Sequence, residues 1–185
     1  MKIFETKPLE LRKKDIKLWE QTGDVCIAVL DDEKSIIKET VLSYSIELYR
    51  KLGNAFIVIW SFSDIDSQSI YSDYFKLLPL VFKNETCLVY SLEKESEFQR
   101  IVEHWGEYDS LDILFTKDRE KYMDTFDIDI YKNYNRYDNA FITRTKNFDA
   151  IISDSGDGEE FQLILSKNIR EKIEIPLQLH EKNAE

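Results

Sequence analysis

The sequence predicts an α/β (or α+β) fold, with a mixed central sheet and helices packed on it. The first observation is the run AFIVIWSF at residues 55–62, which is apolar except for Ser61 and rich in β-branched and aromatic side chains. A strand with one wet face would alternate polar and apolar residues, so this run predicts a central strand buried on both faces. The second observation is that such runs alternate with amphipathic helical patterns, which is typical of sheets covered by helices.

Length and composition predict a single domain over residues 1–185. The chain has 43% hydrophobic and 13% aromatic residues but only 5 Gly and 3 Pro. A chain of this size can bury roughly 70% of the surface that it exposes when unfolded. This composition is typical of a packed globule and not of a disordered or fibrous chain.

The N-terminal half predicts a strand–helix–strand unit. Residues 8–21 favour a short amphipathic helix, and residues 25–30 favour a buried strand that ends at Asp31-Asp32, two acids suited to cap the next helix. That helix has apolar residues at intervals of three or four: Ile37, Val41, Tyr44, Leu48 and Leu52. Gly53 ends it. For strands 25–30 and 55–62 the favoured geometry is a parallel pair with a right-handed crossover, and antiparallel pairing is the alternative.

The middle of the chain continues the alternation. Residues 67–78 predict a helix, residues 86–92 a third strand, and the stripe from Phe98 to Trp105 a helix that Gly106 ends. Residues 109–116 predict a fourth strand. One polar position on its second face favours a place at or near the edge of the sheet.

The last third of the chain predicts an antiparallel hairpin section. A short helix is expected at 118–126 and an irregular loop at 127–139. Residues 140–165 then contain three short strand patterns separated by turn-forming sequences: 140–145, 148–152 and 161–165. Ser166 is expected to cap a last short helix.

The negative charge is concentrated in the C-terminal half. Lys and Arg number 12 against 14 Asp and Glu in residues 1–92, but 13 against 22 in residues 93–185, within a net charge of −11. Such a field repels nucleic acid and anionic membranes and accelerates association with a basic protein. The alternative is that the acidity only keeps the protein soluble.

The cysteines and the hydropathy indicate a cytoplasmic protein. Cys26 and Cys87 each lie within an apolar run, which favours small core residues over a disulfide or a metal pair. The N-terminal residues lack the apolar segment of a secretion signal. No apolar stretch approaches the about 18 residues that a membrane span needs.

No catalytic residue, metal site or cofactor is predicted. The two histidines, His104 and His180, are too few for a histidine-based metal site. The sequence DSGDGEE at 154–160 resembles a calcium loop, but Ile164 stands where a bidentate Glu is required. Two D-x-D pairs, at 64–66 and 127–129, could hold Mg²⁺, yet no phosphate-binding loop or basic cluster accompanies them.

A surface for binding a basic protein is the remaining prediction. Tyrosine and asparagine give large, rigid contact area and adaptable hydrogen bonds, and residues 131–139 are rich in both between flanking acids. The alternative is an ordinary loop whose tyrosines fold back onto the core. The predicted partner-binding residues are Asp127, Asp129, Tyr131, Tyr134, Tyr137, Asp154, Asp157, Glu159 and Glu160.

In size, acidity and lack of catalytic motif the chain resembles the immunity proteins that protect bacteria from polymorphic or contact-dependent toxins. The resemblance covers composition only, so no residue role is carried over. It implies a cytoplasmic, non-catalytic inhibitor whose partner is a basic protein such as a nuclease toxin domain, with no nucleic acid or membrane bound. Two alternatives remain: an enzyme with a D-x-D metal site, and a structural or regulatory module that dimerises through an edge strand.

Overall fold

The computed structural model describes residues 1–7, 21, 23–60, 76–77, 87–106, 110–120, 148–154 and 158–173. The described strands are β1 (Lys2–Thr6), β2 (Val25–Leu30), β3 (Asn54–Trp60), β4 (Lys76–Leu77), β5 (Cys87–Leu92), β6 (Ser110–Thr116), β7 (Ala150–Asp154) and β8 (Glu160–Leu165). The described helices are α1 (Lys34–Leu52), α2 (Ser96–Glu103) and α3 (Lys167–Arg170). All eight strands belong to one sheet in the order β1-β2-β8-β7-β6-β3-β5-β4.

The predicted α/β architecture is confirmed, but the predicted parallel pair is wrong. Among the described strands, every pair of neighbours is antiparallel. β2 and β3 do run in the same direction, but β8, β7 and β6 lie between them. The 19 residues of α1 span about 28 Å, whereas four strand spacings amount to about 19 Å, so one helix can bridge the gap.

A second connection of the same kind places β3 in the interior of the sheet. β5 and β6 flank β3, both antiparallel to it, and α2 joins them. The side chains of β3 from Ala55 to Val58 are buried on both faces, with at most 3% of their surface exposed. The predicted central strand is therefore confirmed.

The helices α1 and α2 pack on one face of the sheet, which we call the first face. All five apolar residues predicted for the inner side of α1 are buried, and Gly53 ends the helix with φ 85°. In α2 the predicted stripe is buried, and Trp105 is 2% exposed. The ring of Phe161 meets Tyr44 and Trp105 edge to face, so one aromatic cluster joins α1, the end of α2 and β8.

The opposite, second face is also buried, and it corrects the prediction for β6. That strand lies between β3 and β7, in the interior of the sheet. Its polar residue Asp112 is 7% exposed and stands in register with Ser153 of β7, which in turn is opposite Gln162 of β8. The polar residue Asp112 is therefore buried in the interior of the sheet and does not mark an edge.

The remaining element predictions include one that is confirmed, one that the described residues contradict and several that they do not test. The hairpin of β7 and β8 is confirmed, with β7 two residues later than predicted. Residues 76–77 form a short strand where a helix was predicted. The helix at 8–21, the loop at 127–139, the strand at 140–145 and most of the helix at 118–126 lie outside the described residues.

Candidate protein-binding surface

Five acidic residues from two segments that are distant in the sequence lie on neighbouring stretches of main chain at one end of the sheet, and we call this group the acidic corner. β2 ends at Leu30 directly opposite Glu160, the first residue of β8. The main-chain N–H of Asp31 then donates a hydrogen bond of 3.0 Å to the carbonyl of Glu159. The acids after β2 therefore lie beside those at the start of β8. The corner consists of Asp31, Asp32, Glu33, Glu159 and Glu160.

Asp31 holds the first of these segments in place. Its Oδ2 lies 2.5 Å from the amino group of Met1, and its Oδ1 accepts a hydrogen bond of 2.9 Å from the N–H of Glu33. The hydrogen bond that the Met1 ammonium group donates, followed by that from the N–H of Glu33, lowers the pKa of the Asp31 carboxyl. The prediction that Asp31-Asp32 cap α1 is wrong. The N-cap position is one residue later, at Glu33, and the Glu33 side chain makes no capping hydrogen bond.

Three carboxylates of the corner face the solvent. Asp32, Glu33 and Glu159 are exposed, and Glu160 is half-buried. The Nζ atom of Lys34 lies 4.0 Å from Oε1 of Glu159, and more than half of each side chain is exposed, so this ion pair is weak. Within the described residues neither Asp32 nor Glu33 has an ion-pair partner. The corner therefore keeps negative charge at its surface.

Asp154, a predicted contact residue, is buried and hydrogen-bonded within the fold. Its side chain is 4% exposed, and its Oδ2 accepts a hydrogen bond of 3.0 Å from the N–H of Gly106, just beyond α2. Gly158, on the β8 side of the turn, packs so closely that a Cβ atom there would lie 3.1 Å from Cα of Gly106. These two contacts attach the β7–β8 turn to the end of α2. They also remove Asp154 from any exposed surface.

The structure brings together only some of the predicted partner-binding residues. Glu159 and Glu160 lie in the acidic corner, whereas six predicted residues lie outside the described part of the chain: Asp127, Asp129, Tyr131, Tyr134, Tyr137 and Asp157. Sequence reasoning missed Asp32 and Glu33 as surface residues. The signal was present, since both acidic runs adjoin buried strands, but only the neighbouring positions of β2 and β8 bring them together.

Several other acids of the C-terminal half are engaged within the fold. Both carboxylate oxygens of Glu95 receive hydrogen bonds of 2.8 Å from Arg50. Glu97 is buried, and its Oε2 accepts hydrogen bonds from the N–H groups of Glu93 and Lys94. In the described part of the chain the acidic surplus thus does not form one C-terminal surface. The exposed corner draws on both halves.

Two kinds of reactive group can be assessed in the described part of the chain, namely metal-binding clusters and the thiol of Cys26. Among them no three His, Cys, Asp or Glu side chains come close enough to hold a metal ion. The thiol of Cys26 is 1% exposed, and burial, together with the charge of Glu5, raises its pKa to about 12. A thiol with this pKa remains protonated at neutral pH and is a poor nucleophile.

Comparison of the chain with protein-family models, with curated proteins and with solved structures finds no match. No helix among the described residues is both long and apolar enough to cross a membrane. Function therefore has to be inferred from the geometry and charge of the molecule itself.

Proposed function

We propose that the chain is a non-catalytic inhibitor that binds a basic protein, such as a nuclease toxin domain, as immunity proteins do. The observation that carries this proposal is the grouping of the exposed carboxylates of Asp32, Glu33 and Glu159 at the acidic corner. The free, buried thiol of Cys26 fits the reducing cytoplasm in which such an inhibitor would act.

The corner suits this task because the main chain that carries its acidic residues is fixed before binding. Two strands fix Leu30 opposite Glu160, and the hydrogen bond from Asp31 to Glu159 ties the following loop to β8. A preorganised surface loses little conformational entropy when it binds. The phosphate-binding cleft of a nuclease presents Lys and Arg side chains, with which carboxylates form charge-assisted hydrogen bonds.

The net charge of −11 adds a long-range contribution to the same interaction. A negative field steers a cationic partner toward the molecule and raises the association rate, and salt weakens this effect. The same field repels anionic polymers. A basic protein is thus favoured over nucleic acid as the partner.

The experiment is a binding panel with catalytically inactivated nuclease domains. It includes the product of the gene adjacent to that of this chain, a set of unrelated basic nuclease domains, and acidic domains of similar size as controls. We expect the chain to bind a basic member and inhibit its active form, with an affinity that falls at least about tenfold between about 50 and 500 mM NaCl. Binding to none of the basic domains at the lower salt concentration contradicts the proposal.

A further inference from the structure

The strand β1 forms one terminus of the described sheet, and β2 is the strand paired with it. Lys2, Phe4 and Glu5 are exposed, whereas Ile3 is buried on the first face. The described part of the other terminal strand, β4, has two residues. Of the two described edges, β1 is therefore the one long enough to pair with a further strand.

The main chain of β1 supplies the chemistry for such pairing. In an antiparallel sheet, alternate residues of a terminal strand direct their N–H and C=O groups away from the neighbouring strand. These groups form a row that another extended segment can join, with main-chain hydrogen bonds for affinity and side chains for selectivity.

Apolar surface accompanies this row of polar groups. Phe4 is 41% exposed and Met1 is 51% exposed, and these are the large exposed hydrophobic residues among those that the structure describes. A strand added outside β1 would place a side chain about 5 Å from that of Phe4, where an apolar residue can cover the ring.

The charge of the acidic corner favours one kind of added strand at β1. Lys2 of β1 is paired with Leu30, and Asp31, Asp32 and Glu33 follow Leu30 directly. One end of a strand laid along β1 would therefore lie two strand spacings, or about 10 Å, from the main chain that leads into the corner. Cationic residues at that end would be attracted, whereas a second copy of this chain would bring its own net charge of −11.

We propose that an extended, lysine- or arginine-bearing segment of the basic partner adds to the sheet alongside β1, with its cationic end at the acidic corner. This inference rests on the proposed function, because it takes the partner to be basic. It goes further in naming how the partner docks: main-chain pairing at β1, an apolar contact with Phe4, and charge contacts with Asp32 and Glu33.

The test uses two capped hexapeptides as probes, one alternating lysine and valine and the other alternating glutamate and valine. Binding to the full chain is followed by NMR, through the chemical shifts and hydrogen exchange of the β1 amides. We expect alternate amides of residues 2–6 to exchange rapidly in the free chain. The lysine peptide should shift them and slow their exchange at least about tenfold, and the glutamate peptide should not.

A charged substitution on the edge separates side-chain effects from general charge effects. Phe4→Lys should weaken binding of the lysine peptide at least about fivefold, because it removes the apolar contact and repels the probe. The matched variant Ser43→Lys, on the exposed side of α1, changes the net charge equally and should leave binding within about twofold.

The outcomes distinguish failure of this inference from failure of the proposed function. If the lysine peptide changes chemical shifts only at the acidic corner and leaves the β1 amides unchanged, strand addition at β1 is refuted and the acidic docking surface is retained. Equal binding of both peptides at β1 overturns the cationic occupant. Slow exchange of all β1 amides without peptide, varying with protein concentration, shows that a second copy occupies the edge. Binding of the lysine peptide nowhere on the chain counts against both proposals.

Discussion

The N–H of Asp31 donates a hydrogen bond to the carbonyl of Glu159, which joins the loop after β2 to the residue before β8. The two residues are far apart in the sequence and become neighbours only because β2 and β8 pair. Their contact turns two short acidic runs into one corner. The sheet therefore positions the candidate binding surface, and the partner does not have to order it.

Asp154 is expected to stabilise the fold and not to contact the partner. Its buried carboxylate accepts a hydrogen bond from the N–H of Gly106, and hydrogen bonds to charged groups contribute about 1.5–3 kcal/mol. Asp154→Ala should lower the free energy of unfolding by about 2 kcal/mol in a denaturant titration. The control Glu159→Ala, at an exposed position, should change it by less than about 0.5 kcal/mol. Equal effects of the two substitutions would refute this assignment.

Replacing Gly158 by alanine is expected to destabilise the fold through a steric clash as well as backbone strain. Its φ is 75°, and an added Cβ atom would lie 3.1 Å from Cα of Gly106 and 3.5 Å from the carbonyl oxygen of Trp105. Gly53 has a similar φ of 85° but no atom within 4 Å of an added Cβ, so Gly53→Ala measures the backbone strain alone. We expect Gly53→Ala to cost about 1 kcal/mol and Gly158→Ala about 2–3 kcal/mol in thermal or denaturant unfolding. If Gly158→Ala lowered the free energy of unfolding by no more than Gly53→Ala does, the turn would be able to move away from α2.

The buried thiol of Cys26 should make the stability fall at alkaline pH. Its pKa rises from 9.0 to about 12 on folding, so the folded state disfavours the thiolate. The stabilising contribution is complete below pH 9 and is lost progressively between pH 9 and 12, because the unfolded chain loses the proton first. The free energy of unfolding should therefore decline more steeply above pH 9 in the wild type than in Cys26→Ala. Parallel profiles would show that the thiol ionises equally in both states.

Local patterns in the sequence predicted the elements well because each pattern reports burial directly. The spacing of Ile37, Val41 and Leu48 marks the inner side of α1, and Gly53 provides the left-handed conformation that ends it. The apolar run in β3 likewise reflects a strand covered on both faces. Such features depend on neighbours in the chain.

Strand order depends on distant neighbours, and there sequence reasoning failed. The crossover through α1 favoured a parallel pair of β2 and β3, but antiparallel strands from later in the chain fill the space between them. The polar position in strand 109–116 favoured a place at or near the edge of the sheet, although Asp112 is buried in an interior strand, in register with Ser153, which pairs with Gln162. Hydropathy alone does not distinguish a polar residue that faces solvent from a buried polar residue whose polar neighbours lie on other strands.

The candidate site shows the same division. Glu159 was predicted as a surface acid and is exposed, while Asp154, only five residues earlier, is buried against α2. Both are carboxylates in one acidic sequence, but Asp154 ends β7 and accepts a hydrogen bond from the N–H of Gly106, whereas Glu159 precedes β8 at an exposed position. Composition could therefore indicate an acidic surface but could not select its members.

The most direct measurement is the association rate constant between this chain and the basic domain that it binds, taken at several salt concentrations by stopped-flow. The key variant reverses the corner with Asp32→Lys, Glu33→Lys and Glu159→Lys. Its control reverses three exposed acids near the opposite end of the sheet with Asp118→Lys, Glu120→Lys and Glu171→Lys. Both variants change the net charge equally. We predict that the corner variant slows association at least about tenfold at low salt and the control less than about threefold, with the difference vanishing at high salt. Equal slowing by both variants would contradict a localised acidic docking surface.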